Sequence, residues 1–99
     1  MPKKIKISEL PEFDLAEHIK TEKDIAEYLS IVMEEDDPSL LAAVLGDIAR
    51  ARGMSEIARA SGITREALYR ALRPDAHPRF DTISRVCKAL GVKLHASAA

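Results

Sequence analysis

The sequence predicts an all-α fold, a compact five-helix domain, and three observations carry that expectation. Apolar residues recur at helical spacing through most of the 99 positions. Residues able to cap a helix start precede those stripes, and glycines follow several of them. Aromatics are scarce, with two Tyr, two Phe and no Trp, so the core must be built from Leu, Ile, Val, Ala and Met. Such side chains suit helices that meet at short range.

Only Lys3 to Ile7 alternates as a short edge strand or ordered arm would, and Pro11 argues against its continuation. Phe13, Leu15 and Ile19 are expected to anchor that arm, with Asp14 capping a short turn. Thr21 followed by Asp24 has the form of a capping box and opens the first helix. Its inward stripe is Ile25, Tyr28, Leu29 and Val32. The helix closes in the run Glu34-Glu35-Asp36-Asp37, where Asp36 or Asp37 caps the next helix and Pro38 takes its first position. The second helix spans 39–53, with Leu41, Val44, Leu45 and Ile48 inward and Gly53 as its terminator after Arg50 and Arg52. Ser55 is the expected cap of a third helix over 55–61. Gly62 supplies a tight turn, and Thr64 caps a fourth helix over 64–72. The segment RPDAHPRFD is a loop signalled by Pro74 and Pro78. Asp81 is expected to cap the last helix, 81–90, with Ile83, Val86, Cys87 and Leu90 inward and Gly91 at its end. Val92 to Leu94 can return as a short extended piece.

The stretch MSEIARASGITREALYRAL, residues 54–72, is the most telling. Ala58 is small where a second backbone must come close, and Gly62 can take the positive φ of an interhelical turn. Leu68 and Ala71 give the second helix of the pair an inward side. Its other side carries Arg65, Glu66, Tyr69, Arg70 and Arg73, a dress that fits a DNA major groove. Arg65 and Arg70 are candidates for bidentate contacts to guanine. Glu66 could accept from cytosine or orient Arg70 at i,i+4, and Tyr69 could touch a thymine methyl or a phosphate. Ser55, Thr64, Arg73 and Arg79 are candidates for phosphate contacts. An ordinary αα-corner with a solvated polar side is the competing reading. One such domain covers little DNA, so a homodimer on a palindrome is expected, with the last helix, Val92 and Leu94 as one conceivable dimer face.

The net charge of −1 conceals a division. Residues 1–38 hold five Lys against eleven Asp or Glu, whereas residues 39–99 hold ten Lys or Arg against five Asp or Glu. Two surfaces with different partners follow from such asymmetry, the basic one suited to phosphate. The chain accordingly divides into an arm with an acidic helix, 1–37, and a helix-turn-helix domain, 38–95. No apolar run reaches the ~18 residues of a membrane span, and no apolar segment follows the leading lysines as in a secretion signal. With the lone Cys87, a cytoplasmic setting is expected. His18, His77 and His95 stand in separate contexts, without a phosphate loop or an activated nucleophile, so neither catalysis nor a cofactor or metal is expected.

Through MSEIARASGITREALYRAL and the later TISRVCKALGV, the C-terminal half resembles Cro/XRE-type helix-turn-helix regulators. That resemblance implies a lambda-repressor-like arrangement with an N-terminal helical extension. With FDLAEHIKTEKDIAEYL and LLAAVLGDIARARGM included, the chain resembles the addiction-module antidote, or antitoxin, family of the HigA-like kind over roughly residues 12–94. The resemblance implies a small basic toxin partner of the RelE/ParE-like (HigB-like) kind, neutralised by direct binding, and repression of the shared operon. The acidic Glu22, Asp24, Glu27, Glu34 and Glu35 are then the candidate toxin-binding residues, and the arm could add a strand to the toxin's sheet. Asp75-Ala76-His77 departs from relatives, which often carry Gly or Asn in that loop. A stand-alone repressor of the same type and a helical adaptor without DNA are the rival functions.

Overall fold

A computed structural model describes residues 18–99. The arm, Phe13 and Leu15 lie outside the described residues. Five helices follow in order: α1 Glu22–Met33, α2 Pro38–Arg52, α3 Met54–Ser61, α4 Arg65–Ala71 and α5 Phe80–Ala89. There is no strand among the described residues, so Val92 to Leu94 runs on without a sheet partner. The all-α expectation holds.

Local chemistry explains most of the boundaries. Before α1, Thr21 Oγ1 accepts from the Asp24 amide at 3.1 Å, and the Asp24 carboxylate accepts from the Thr21 amide at 3.2 Å. The capping box is therefore complete. Asp37, not Asp36, caps α2, accepting from the Ser39 and Leu40 amides, and Pro38 occupies the first turn, where its missing N–H costs nothing. Asp36 instead takes φ 53, a left-handed conformation that Asp tolerates better than most residues.

At the end of α3 the Ala58 carbonyl accepts from the Gly62 amide at 3.0 Å, the Ile63 amide at 3.2 Å and Ser61 Oγ at 3.1 Å. Gly62, at φ 73, makes that turn affordable. The same reverse pairing closes α5: the Val92 amide donates to Cys87 O and the Gly91 amide to Lys88 O, both at 3.0 Å.

Two expected caps are corrected. Helix α3 starts at Met54, directly after Gly53, so Ser55 lies within its first turn and caps nothing. Helix α5 starts at Phe80, behind Arg79, so Asp81 is inside the first turn, where its carboxylate meets Arg85 at 3.8 Å.

One cluster forms the core. Ile25, Leu29 and Val32 of α1 meet Val44, Leu45 and Ile48 of α2, and the cluster continues through Ile57, Leu68, Leu72, Val86 and Cys87. It crosses the expected division at residue 37. Helix α3 packs against α2, α4 and α5, and α1 packs against α2. Gly46 is a point of close approach on α2: a Cβ there would stand 2.7 Å from the Leu72 carbonyl oxygen. Ile19 joins the cluster as expected, and Val92 is drawn into it with Leu94 packed alongside. Val92 is thus buried within the fold, and Leu94 is partly buried.

Candidate nucleic-acid interface

Helix α4 is short, and its orientation is set from both ends and from beneath. Thr64, extended at φ −63 and ψ 152, accepts from the Ala67 amide at 3.1 Å and fixes the first turn. Leu68 is wholly buried, and Leu72 just past the helix is 1 % exposed. With that side turned inward, Arg65, Glu66, Tyr69 and Arg70 stand exposed on the other, and Arg73 continues the basic edge. All four residues expected at base edges are therefore brought together on one accessible side.

Two features of that surface were not foreseen. Arg65 lies over the Tyr69 ring, its guanidinium carbon 5.6 Å from the ring centroid, and an Arg65 Nη reaches the Tyr69 hydroxyl at 3.4 Å. A stacked guanidinium of this kind gains about 0.5–1 kcal/mol at an exposed site and loses rotamer freedom in advance of any ligand. In contrast, no ion pair joins Glu66 to Arg70 among the described residues.

The expected phosphate set is more dispersed. Thr64 is exposed but spends its hydroxyl oxygen as acceptor for the α4 cap. Ser55 is exposed in the first turn of α3, and Arg79 immediately precedes α5. Arg52, read from the sequence only as a basic residue at the end of its helix, has its Nη2 buried without a hydrogen-bond partner among the described residues.

The acidic candidates fall in three local settings. Glu22, Glu27, Glu34 and Glu35 are exposed. Asp24 is half-buried, and its carboxylate accepts from the Lys20 and Thr21 amides, so it holds the start of α1 together. The Glu22 side chain lies against Gly91, where an added Cβ would come within 2.7 Å of its Cγ. Glu27 and Glu34, seven residues apart, share a side of α1.

Beyond the expected sites, an apolar groove of about 380 Å³ opens between the α1–α2 connection and the start of α5. Phe80, at its edge, is 72 % exposed. It lies in a segment the loop signals of Pro74 and Pro78 assigned to irregular structure. No group of His, Cys, Asp and Glu among the described residues is arranged to hold a metal ion. No helix there is long and apolar enough to cross a membrane.

These features define a small all-helical domain in which two short helices meet across a tight turn and the second presents an exposed basic side. Residues 9–98 match the family described as probable addiction module antidote protein, and the chain belongs to that family. A protein of Haemophilus influenzae, named only as uncharacterized, is 48% identical over 85 residues, covering 86% of this chain and 88% of that protein. No solved structure matches the chain.

Proposed function

We propose that this protein is the antitoxin of a toxin–antitoxin pair, that it neutralises a RelE/ParE-like (HigB-like) toxin by direct binding, and that it represses its own operon. The second activity runs through α3 and α4 as a helix-turn-helix of the Cro/XRE type, with α4 in the major groove of operator DNA. The single observation behind the DNA reading is the solvent-facing side of α4, where Arg65, Tyr69 and Arg70 are exposed while Leu68 anchors the opposite side. Had those three been packed inward, a groove-reading role would have been lost. Family membership supports the antitoxin half. The exposure of the acidic candidates Glu22, Glu27, Glu34 and Glu35 supports a contact with a basic partner. A homodimer presenting α4 twice would match half-sites about 34–36 Å apart.

The test is binding to DNA from upstream of the chain's own gene, followed across salt. Several phosphate contacts make affinity fall steeply, by about 0.9 log units per log unit of salt for each contact. Arg70→Ala should reduce affinity for the operator by about 5- to 150-fold, the range of one base contact, with a smaller loss on unrelated DNA. Equal loss on all sequences would reduce Arg70 to a phosphate contact. Salt-insensitive binding, or none, would remove the regulator reading. Co-expression with the neighbouring reading frame, scored for rescue of growth, separates an antitoxin from a stand-alone repressor.

A further inference from the structure

Resting on the antitoxin reading, we infer that the groove beside Phe80 is the anchor pocket for the toxin, and that it takes an apolar side chain carried on a basic segment of that partner. The groove is lined by Met33 at the end of α1, Pro38 and Leu41 of α2, and Phe80 and Ile83 of α5, with Asp36 and Asp37 at its rim. Leu41 and Ile83 form its floor, packed against the core, whereas Met33 is 45% exposed and Phe80 72%. An aromatic ring left so open contributes almost nothing to folding, and its area is available to a partner. Aromatic residues at pocket edges are the usual anchors of protein interfaces.

Charge selects the occupant. On the α1–α2 side of the groove, from Ile31 to Ala49, the chain carries Glu34, Glu35, Asp36, Asp37 and Asp47 and no Lys or Arg, while the exposed Arg79 between Pro78 and Phe80 is the cation of the opposite side. The last turn of α1 holds no basic residue, so Glu34 and Glu35 stand against the negative end of that helix. Asp37 is offset by the α2 amides it caps. Glu34, Glu35 and Asp36 have no ion-pair partner among the described residues. A symmetric contact with a second copy would bring these carboxylates toward one another, and a nucleic acid would set phosphate against them. A segment with Lys or Arg flanking an apolar side chain satisfies both the pocket and its rim. The groove shares no residue with α4, so toxin and operator can be held together.

The experiment uses the full chain and, as probe, the purified product of the adjacent reading frame. Phe80→Ala should weaken that complex by on the order of 30-fold, the scale of an aromatic hot spot, while Phe80→Leu restores most of it. Asp36→Asn should slow association and flatten its salt dependence, since rim charges act mainly on encounter. Operator affinity and melting temperature should stay unchanged in all three, because Phe80 and Asp36 are exposed. Binding by Phe80→Ala within twofold of the parent overturns the proposal and leaves the antitoxin reading standing. Failure of the unmutated chain to bind the probe removes both. Replacing Phe80 with photoreactive benzoylphenylalanine identifies the occupant directly. A cross-link to the probe supports the inference, and one to a second copy or to residues 1–17 of the same chain overturns it.

Discussion

Gly46 illustrates how a single methyl group can be felt across the molecule. In a helix interior, Gly→Ala ordinarily gains about 1 kcal/mol. Here the added Cβ would meet the Leu72 carbonyl oxygen at 2.7 Å, and a backbone atom cannot rotate away. Overpacking of that kind costs about 1–3 kcal/mol, which outweighs the propensity gain. Gly46→Ala should therefore lower the denaturation midpoint despite its better helix residue, and an increase would show that the α2–α4 approach relaxes freely. Cys87 offers a second test at the same scale. Burial pushes its thiol up to about 11. An unfolded chain's thiol ionises near pH 8.5, so above that pH the unfolded state binds fewer protons and stability falls as pH rises toward 11. The slope approaches about 1.4 kcal/mol per pH unit. Denaturant titrations at pH 8 and 10 should show this loss in the parent and a smaller one in Cys87→Ala. Tyr28, raised by its own burial and then by the Asp47 carboxylate, acts in the same direction at higher pH and is common to both chains.

Among the elements, α4 depends most on its flanks. Seven residues, Arg65–Ala71, are too few for a stable helix alone. Loss of the Thr64 cap should cost about 1 kcal/mol, and Thr64→Ser should keep most of it. Thr64→Ala should lower the melting temperature and, on the proposed operator-binding role, weaken DNA binding as well, because that role needs α4 ordered. Unchanged DNA affinity would place recognition elsewhere. The ends of the elements also show what was legible beforehand. Thr21, Asp37, Gly53, Gly62, Thr64 and Gly91 were readable because each works through bonds to residues a few positions away. Ser55 and Asp81 misled for a related reason. Small polar and acidic residues suit both the cap and the first turn, so residue type alone leaves a helix start uncertain by a position or two. Gly46 and Phe80 were invisible because their roles depend on residues distant in sequence.

For the whole molecule, the acidic and basic halves share one hydrophobic cluster, with Ile25, Leu29 and Val32 seated against α2. Removing residues 1–37 would therefore strip the core along with any toxin-binding surface. Substitutions on exposed positions are the cleaner probe. Glu27→Lys with Glu34→Lys should weaken toxin binding at least tenfold, chiefly through association rate, and leave the melting temperature within a few degrees. Operator binding should be unchanged or slightly tighter. A toxin affinity indifferent to both reversals would remove α1 from the interface.

Helix α3 touches α2, α4 and α5, although its eight residues, Met54–Ser61, would be coil in isolation. Its amides cannot be freed without separating three neighbours, so in hydrogen exchange they should report the global unfolding free energy while the exposed residues 95–99 exchange early. A domain assembled around so small a hub has little room for partial opening, and its melting should be cooperative from the first broken contact.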